Sequence, residues 1–219
     1  MEVVEIIALS MGVAWASGLN LYAAVFVLGW LGSTGNLVLP EPLQVCSDPM
    51  VMAAAGFMYC VEFFADKTPG VDTGWDVIHT FIRIPAGAIL AAGAVGELGP
   101  GAELAALILG GGLAAATHAT KAGGRVLINT SPEPVTNWTA SVGEDLAVIA
   151  GLWTALNYPV LFIIVLIAVI LLMAWLLPRI WRGIKLIAAR VGGFFQRRRR
   201  HDRQQQDPPV LPDPKRDGR

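Results

Sequence analysis

The stretch that decides the fold is YPVLFIIVLIAVILLMAWLL, Tyr158 to Leu177. It holds no charge, and its one proline, Pro159, sits at the start, where a helix tolerates it. About 20 apolar residues are enough to cross the hydrocarbon core of a bilayer. A soluble core helix rarely runs that far without a polar position. The rest of the chain agrees. Of its 219 residues, 54% are hydrophobic and only 15% charged, where soluble domains average about 25% charged. The mean hydropathy is +0.57.

Working outward from that stretch, six apolar segments emerge: Glu5–Leu31, Met50–Ala65, Trp75–Val95, Glu103–Thr120, Trp138–Leu156 and Tyr158–Trp181. Basic residues should lie in the cytoplasmic loops of a membrane protein. The connection after the second segment carries Lys67, the one after the fourth Lys121 and Arg125, and the tail twelve more; the other connections carry none. That alternation predicts an all-α, polytopic helix bundle of about six spans with both termini in the cytoplasm. The bundle is expected over residues 1–181. The N-terminus, MEVVEIIALSMG, is acidic, lacks a small-residue cleavage site and reads as the start of a retained span.

From Arg179 onward there are 12 basic residues against 4 acidic, a net charge of +8, which leaves 4 basic against 13 acidic in the first 178 residues. A basic tail directly after a span reads as an anchor on anionic lipid. Residues 182–195 fit a juxtamembrane amphipathic segment, with Phe194 and Phe195 beside the arginines. Residues 196–219, polar and proline-rich, are expected to be a disordered basic tail. No folded module accompanies the arginine run, so nucleic acid is not an expected partner. Two cysteines give no disulfide framework or metal spacing, and Cys60, inside an apolar segment, reads as a small buried hydrophobe.

The charges that interrupt the apolar segments are patterned. Asp72, Asp76, His79 and Arg83 are spaced 4, 3 and 4; His118, Lys121 and Arg125 are spaced 3 and 4; Glu62 and Asp66 are spaced 4. Each set falls on one helix face. Glu144 and Asp145 lie about 10 Å into the fifth segment at 1.5 Å per residue. With Lys67, these twelve residues occupy the cytoplasmic half of the bundle, where lipid exposure of a charge costs about 2.5–3.5 kcal/mol. They are therefore expected to face one another.

Two readings of the cluster stand side by side. One is an ion-pair network that locks the helices together. The other is a cytoplasm-facing polar cavity for a cation, a proton or a small solute, with His79 or His118 titrating. An enzyme is the weakest reading: there is no HExxH, nucleophile elbow or phosphate loop, and no cofactor, metal ligand or catalytic residue is expected. In the first segment, Ser17, Gly18 and Asn20 mark either a helix break lining a cavity or a close helix–helix contact. Pro85 is expected to kink the third segment, and Asn137 to cap the fifth. Nothing in the sequence fixes the oligomeric state, and a homo-oligomer is allowed.

The motifs FADKTPGVDTGWDVIHTFIRIPAGA, HATKAGGRVLINTSPEPVTNW and GEDLAV, with the early SGLNLY, resemble the bacterial membrane family catalogued as domain of unknown function 4126. The resemblance covers roughly residues 8 to 160. It implies a multi-span protein of the bacterial inner membrane and carries no established activity. The positions it matches include Asp66, Lys67, Asp72, Asp76, His79, His118, Lys121, Asn129, Asn137, Glu144 and Asp145, which coincide with the cluster read from spacing.

Overall fold

The computed structural model describes residues 2–68, 70–130 and 134–206, with side chains of the last helix through Ala189. Among the described residues there are six α-helices, two short 3₁₀ turns and no strand. In chain order these are α1 (Val3–Ser33), a turn at Glu41–Ser47, α2 (Pro49–Ala65), α3 (Val71–Ala94), a turn at Gly96–Leu98, α4 (Pro100–Ile128), α5 (Pro134–Asn157) and α6 (Pro159–Gln206). The chain divides into a bundle, Met1–Trp181, and a second unit, Arg182–Arg219. In the second unit, backbone is helical as far as Gln206. Residues 207–219 of the expected disordered tail lie outside the described residues, as do the side chains of 190–195 in the expected amphipathic segment.

Local chemistry sets the boundaries. The carboxylate of Asp48 accepts from the backbone N–H of Met50 (2.7 Å) and Val51 (3.3 Å), capping α2 just before Pro49. Gly70 and Gly99 turn the chain into α3 and α4 with φ of +86° and +99°, a region that favours glycine. Pro100, Pro134 and Pro159 each open a helix, where a missing N–H costs nothing. Helix α3 remains helical through Pro85.

The course of α1 departs from the expected straight span. Asn20 has φ −148° and ψ 96°, extended backbone in mid-helix. Before it, the chain climbs along α3 and α5 in an antiparallel sense: Ser10 Oγ donates to Ala91 O (2.8 Å), Ser17 Oγ donates to Arg83 O (3.1 Å), Gly12 packs on Ala155 and Trp15 on Gly151. After Asn20 the direction along α5 is reversed. Asn20 meets Asp145, whereas Phe26, Val27, Trp30 and Leu31 share a groove with Ile149 and Trp153. Along α2, Phe26 touches Gly56 and Gly29 touches Met52, back towards the helix start. Glu5 and Ile6 then line one cavity of about 480 Å³ together with Asn36–Pro40 and Glu97. A straight helix of 31 residues would hold its ends about 45 Å apart. Helix α1 is therefore a hairpin of two half-length helices that meet at Asn20 deep in the bundle. Both its ends lie at the end of the bundle where α3 finishes. The expected first crossing, Glu5–Leu31, is corrected accordingly, and with it the basis for placing both termini on one side.

The bundle is inside-out relative to a soluble protein. On α3, Asp72, Asp76, His79 and Arg83 are buried, while Ile78, Phe81, Ile82 and Ile89 on the same helix are exposed, Phe81 to 81%. Such an apolar exterior around charged groups is the arrangement a bilayer requires. By length and composition four helices could cross a membrane, α1, α3, α4 and α6, or five with the bent pair Glu41–Ser47 and Pro49–Ala65. The protein is membrane-embedded. Small residues let the helices approach. A Cβ on Gly18 would sit 2.6 Å from Ala114 O on α4, and one on Gly87 2.6 Å from Ala114 Cβ. Cys60, expected to be buried, is exposed on α2, whereas Cys46 is buried beside Gly29.

Candidate functional site

All four basic residues of the first 178, Lys67, Arg83, Lys121 and Arg125, are buried inside the bundle, none more than 6% exposed. Three of them, Arg83, Lys121 and Arg125, gather acids from three helices into one continuous chain of ion pairs. Asp76 on α3 faces Arg83 (3.4 Å), and Arg83 donates to Glu62 at the end of α2 (2.5 Å). Glu62 also meets Lys121 on α4 (3.3 Å), which donates to Asp66 (2.7 Å) and approaches Glu144 on α5 (3.4 Å). Arg125 closes the chain, donating to Glu144 (2.7 Å). The spacing of 3 and 4 places His118, Lys121 and Arg125 one turn apart on α4, so successive cations meet successive acids.

The α1 hairpin delivers its tip into this chain. The break at Asn20 leaves the carbonyl of Leu19 free, and Lys121 Nζ donates to it (3.0 Å). Asn20 Oδ1 accepts from Ala23 N–H (3.0 Å), capping the returning half-helix, and Asn20 Nδ2 donates to Asp145 Oδ1 (3.0 Å). Both sequence readings of the SGLN stretch thus hold at different residues: Gly18 makes the close contact and Asn20 makes the break.

The hydrogen-bond partners place a proton on one nitrogen of each histidine. His79 Nδ1 lies 2.9 Å from Trp75 O, a group that only accepts, so Nδ1 carries a proton, and Nε2 lies 3.0 Å from the Tyr22 hydroxyl. His118 Nε2 donates to Asp76 O (3.1 Å), while Nδ1 faces Arg83 Nη1 (3.3 Å), a group that only donates. Protonating His118 would turn an N–H towards a guanidinium. Of the two histidines expected to titrate, His118 is disfavoured by this geometry.

The remaining members flank the chain. Asp72 accepts from Gly70 N–H (2.9 Å), Thr73 N–H (2.6 Å) and the Asn129 amide (2.8 and 2.9 Å), which ties the start of α3 to the end of α4. Asn137, expected as a simple cap, donates instead to Asn129 Oδ1 (2.8 Å). Lys67, just past α2, donates to Ser141 Oγ (3.1 Å) and rests 2.9 Å from the Phe63 ring centroid. Burial pushes its ammonium below the ordinary lysine range.

The residues singled out from the sequence lie in the ion-pair chain or beside it. Sequence reasoning missed Tyr22, Ser141 and the Leu19 carbonyl. Tyr22 had a signal in its place directly after SGLN; a backbone carbonyl has none. The expected open cavity is closed here: Glu62, Asp66, Asp76, Arg83, Lys121, Arg125 and Asp145 are all buried. Glu144, with 18% of its side chain exposed, borders a cavity of about 290 Å³ that it shares with Lys121, Arg125, Trp15, Leu19 and Met173.

The charges do not balance. The ion-pair chain holds four acids, Glu62, Asp66, Asp76 and Glu144, against three bases, Arg83, Lys121 and Arg125. Buried oxygens without a hydrogen-bond partner include Glu62 Oε2, Asp66 Oδ1, Asp76 Oδ2 and Asp145 Oδ2. Among the described residues, no three His, Cys, Asp or Glu side chains are placed to hold a metal ion.

No curated protein and no solved structure matches this chain. A family model does match, over residues 7–179, a range that takes in α2 to α5 whole, nearly all of α1, the apolar part of α6 and every member of the cluster. The chain belongs to the family described as domain of unknown function, DUF4126.

Proposed function

We propose that this protein passes a proton or a small cation across the bacterial inner membrane by way of the buried polar cluster. One observation carries the reading: α1 breaks at Asn20 inside a buried ion-pair chain that has one acid more than it has bases. Non-helical backbone at membrane depth is tolerated where it lines a cavity or is buried in protein. Discontinuous helices whose ends meet buried charge are how many transporters build their ion sites. A structural cluster alone needs neither the break nor the excess acid.

The topology we infer follows from the hairpin and the basic residues together. We count α5, which returns the chain between α4 and α6, as a crossing beside α2, α3, α4 and α6, although length and composition alone do not mark it as one; α1 enters and returns, and the end of the bundle that holds Lys67 and Arg125 is cytoplasmic. The N-terminus then lies on the far side, and the tail meets anionic lipid. Most of the cluster is buried here. Glu144, the most exposed member, is its nearest approach to the outside.

The second reading, a cluster that only locks the bundle, draws support from the density of bonds: Lys121 alone has four acceptors within 3.4 Å. Purified protein in liposomes separates the two. Proton or alkali-cation flux above that of empty vesicles, reduced by Arg83→Gln, supports permeation. Flux equal to that of empty vesicles for protons, alkali cations and divalent metals leaves the structural reading.

A further inference from the structure

We propose that the ion-pair chain is completed by one bound proton, carried by Asp76 on Oδ2, and that this is the exchangeable proton of the site. The inference deepens the permeation reading in what it says the proton is for; the existence of the proton does not depend on that reading.

The four acids of the chain differ in how well cations compensate them. Asp66 Oδ2 takes Lys121 at 2.7 Å and Arg125 at 3.8 Å. Glu144 Oε2 takes Arg125 at 2.7 Å and Lys121 at 3.4 Å, and it keeps partial exposure. Glu62 Oε1 takes Arg83 at 2.5 Å and Lys121 at 3.3 Å. Asp76 has the poorest compensation: a single 3.4 Å approach to Arg83 Nη1, with the side chain 1% exposed; its Oδ2 is unpartnered, as are Glu62 Oε2 and Asp66 Oδ1, but those two carboxylates each hold two cations. Arg83 is already committed to Glu62. A carboxylate in that position is a buried charge without adequate solvation, and such a group neutralises rather than stay ionised. As a carboxylic acid, Asp76 removes the surplus negative charge and brings the chain to three acids against three bases.

The neighbours leave the proton few other places. From α2, Glu62 and Asp66 face Asp76, both negative, which favours its neutral form. From α4, Lys121 and Arg125 favour the charged form at longer range, while their closest contacts go to Asp66 and Glu144. His118, also on α4, donates to Asp76 O and turns its free nitrogen to Arg83, so it cannot take the proton without placing N–H against a guanidinium. From α3 itself, Arg83 is the one facing charge. Helix α1 contributes Tyr22, occupied by His79, and α5 reaches the chain through Glu144. A divalent metal would need a ligand set that the described residues do not provide. Release of the proton regenerates the Asp76 carboxylate beside Arg83, weakens the grip of Arg83 on Glu62 and loosens the link between α2 and α3. Proton exchange and opening of the cluster are thereby coupled.

Infrared spectroscopy of the purified protein at neutral pH tests this without any transport assay. The expected result is a protonated-carboxyl C=O band that shifts when aspartate is labelled with carbon-13 at its side-chain carboxyl, and that disappears in Asp76→Asn. The amide stands in for the neutral acid, so this variant is expected to fold. Should it fail to fold, Asp66→Asn and Asp145→Asn decide in its place: the aspartate-labelled band is expected to persist in both, and its loss in either overturns the assignment to Asp76. A band that responds to labelled glutamate instead, a band that persists in folded Asp76→Asn, or no protonated-carboxyl band in the wild type each overturns the proposal. If the band behaves as stated and liposomes show no flux, the permeation reading falls and the proton site stands.

Discussion

Replacing Arg83 with methionine removes the central cation of the chain while keeping a long apolar side chain. Arg83 is fully buried and donates to Glu62 Oε1, approaches Asp76 Oδ1 at 3.4 Å and holds His118 Nδ1 at 3.3 Å. Without it, Glu62 keeps one 3.3 Å contact with Lys121 and Asp76 keeps none. Breaking one side of a buried ion pair costs about 3–5 kcal/mol, because the stranded charge stays desolvated. At about 1.4 kcal/mol per tenfold change, the unfolding equilibrium should shift by between about a hundredfold and several thousandfold. Unfolding of the detergent-solubilised protein by graded addition of sodium dodecyl sulfate reads this directly. Removing the partner as well, in Glu62→Gln with Arg83→Met, should recover much of the loss, since an apolar or neutral pair does not strand a charge. A single-substitution loss below about 1 kcal/mol, the range of an exposed pair, refutes the reasoning, and so does a double variant as unstable as the sum of its parts.

Other outcomes follow from the same geometry. Gly18→Ala should lose about 1–3 kcal/mol in the same unfolding assay, because its Cβ would meet the Ala114 carbonyl, which no rotamer change can move. Asn20→Ala should cost about 1–2 kcal/mol from the lost cap on Ala23, and it should expose Asp145 to carboxyl-reactive probes; an unchanged unfolding curve would count against the break as drawn. Reporters fused ahead of Met1 and after Arg200 should give opposite compartments, and finding both in the cytoplasm would restore a straight first crossing.

How much of this was legible in the sequence depends on the residue. The 4, 3, 4 spacing of Asp72, Asp76, His79 and Arg83 fixed one helix face, and all four are buried as that face required. Lys67, Arg83, Lys121 and Arg125, the four cations of the first 178 residues, pointed to partners because lipid offers them none. The reversal of α1 was not legible, for a physical reason. Residues 6–31 carry no charge, and neither the N-terminus nor the Ser33–Asp48 connection carries Lys or Arg. The charge rule that orders the other helices therefore says nothing about α1. Asn20 could serve a packed helix or end one, and only its contacts with Asp145 and Ala23, both made once the bundle has formed, decide which. Cys60 was misplaced because an apolar segment in a membrane faces lipid as readily as protein, so hydropathy does not tell the inside from the outside.

The hairpin in α1 is what brings broken backbone to the charged cluster, and a distance measures it. Spin labels at Val3→Cys and Val38→Cys, both exposed positions, in a chain with Cys46 and Cys60 replaced, should report a separation less than half of the roughly 45 Å that 31 residues of straight helix impose. A separation of 45 Å or more would mean that α1 crosses the membrane unbroken, and the account of Asn20 at the site would fail with it.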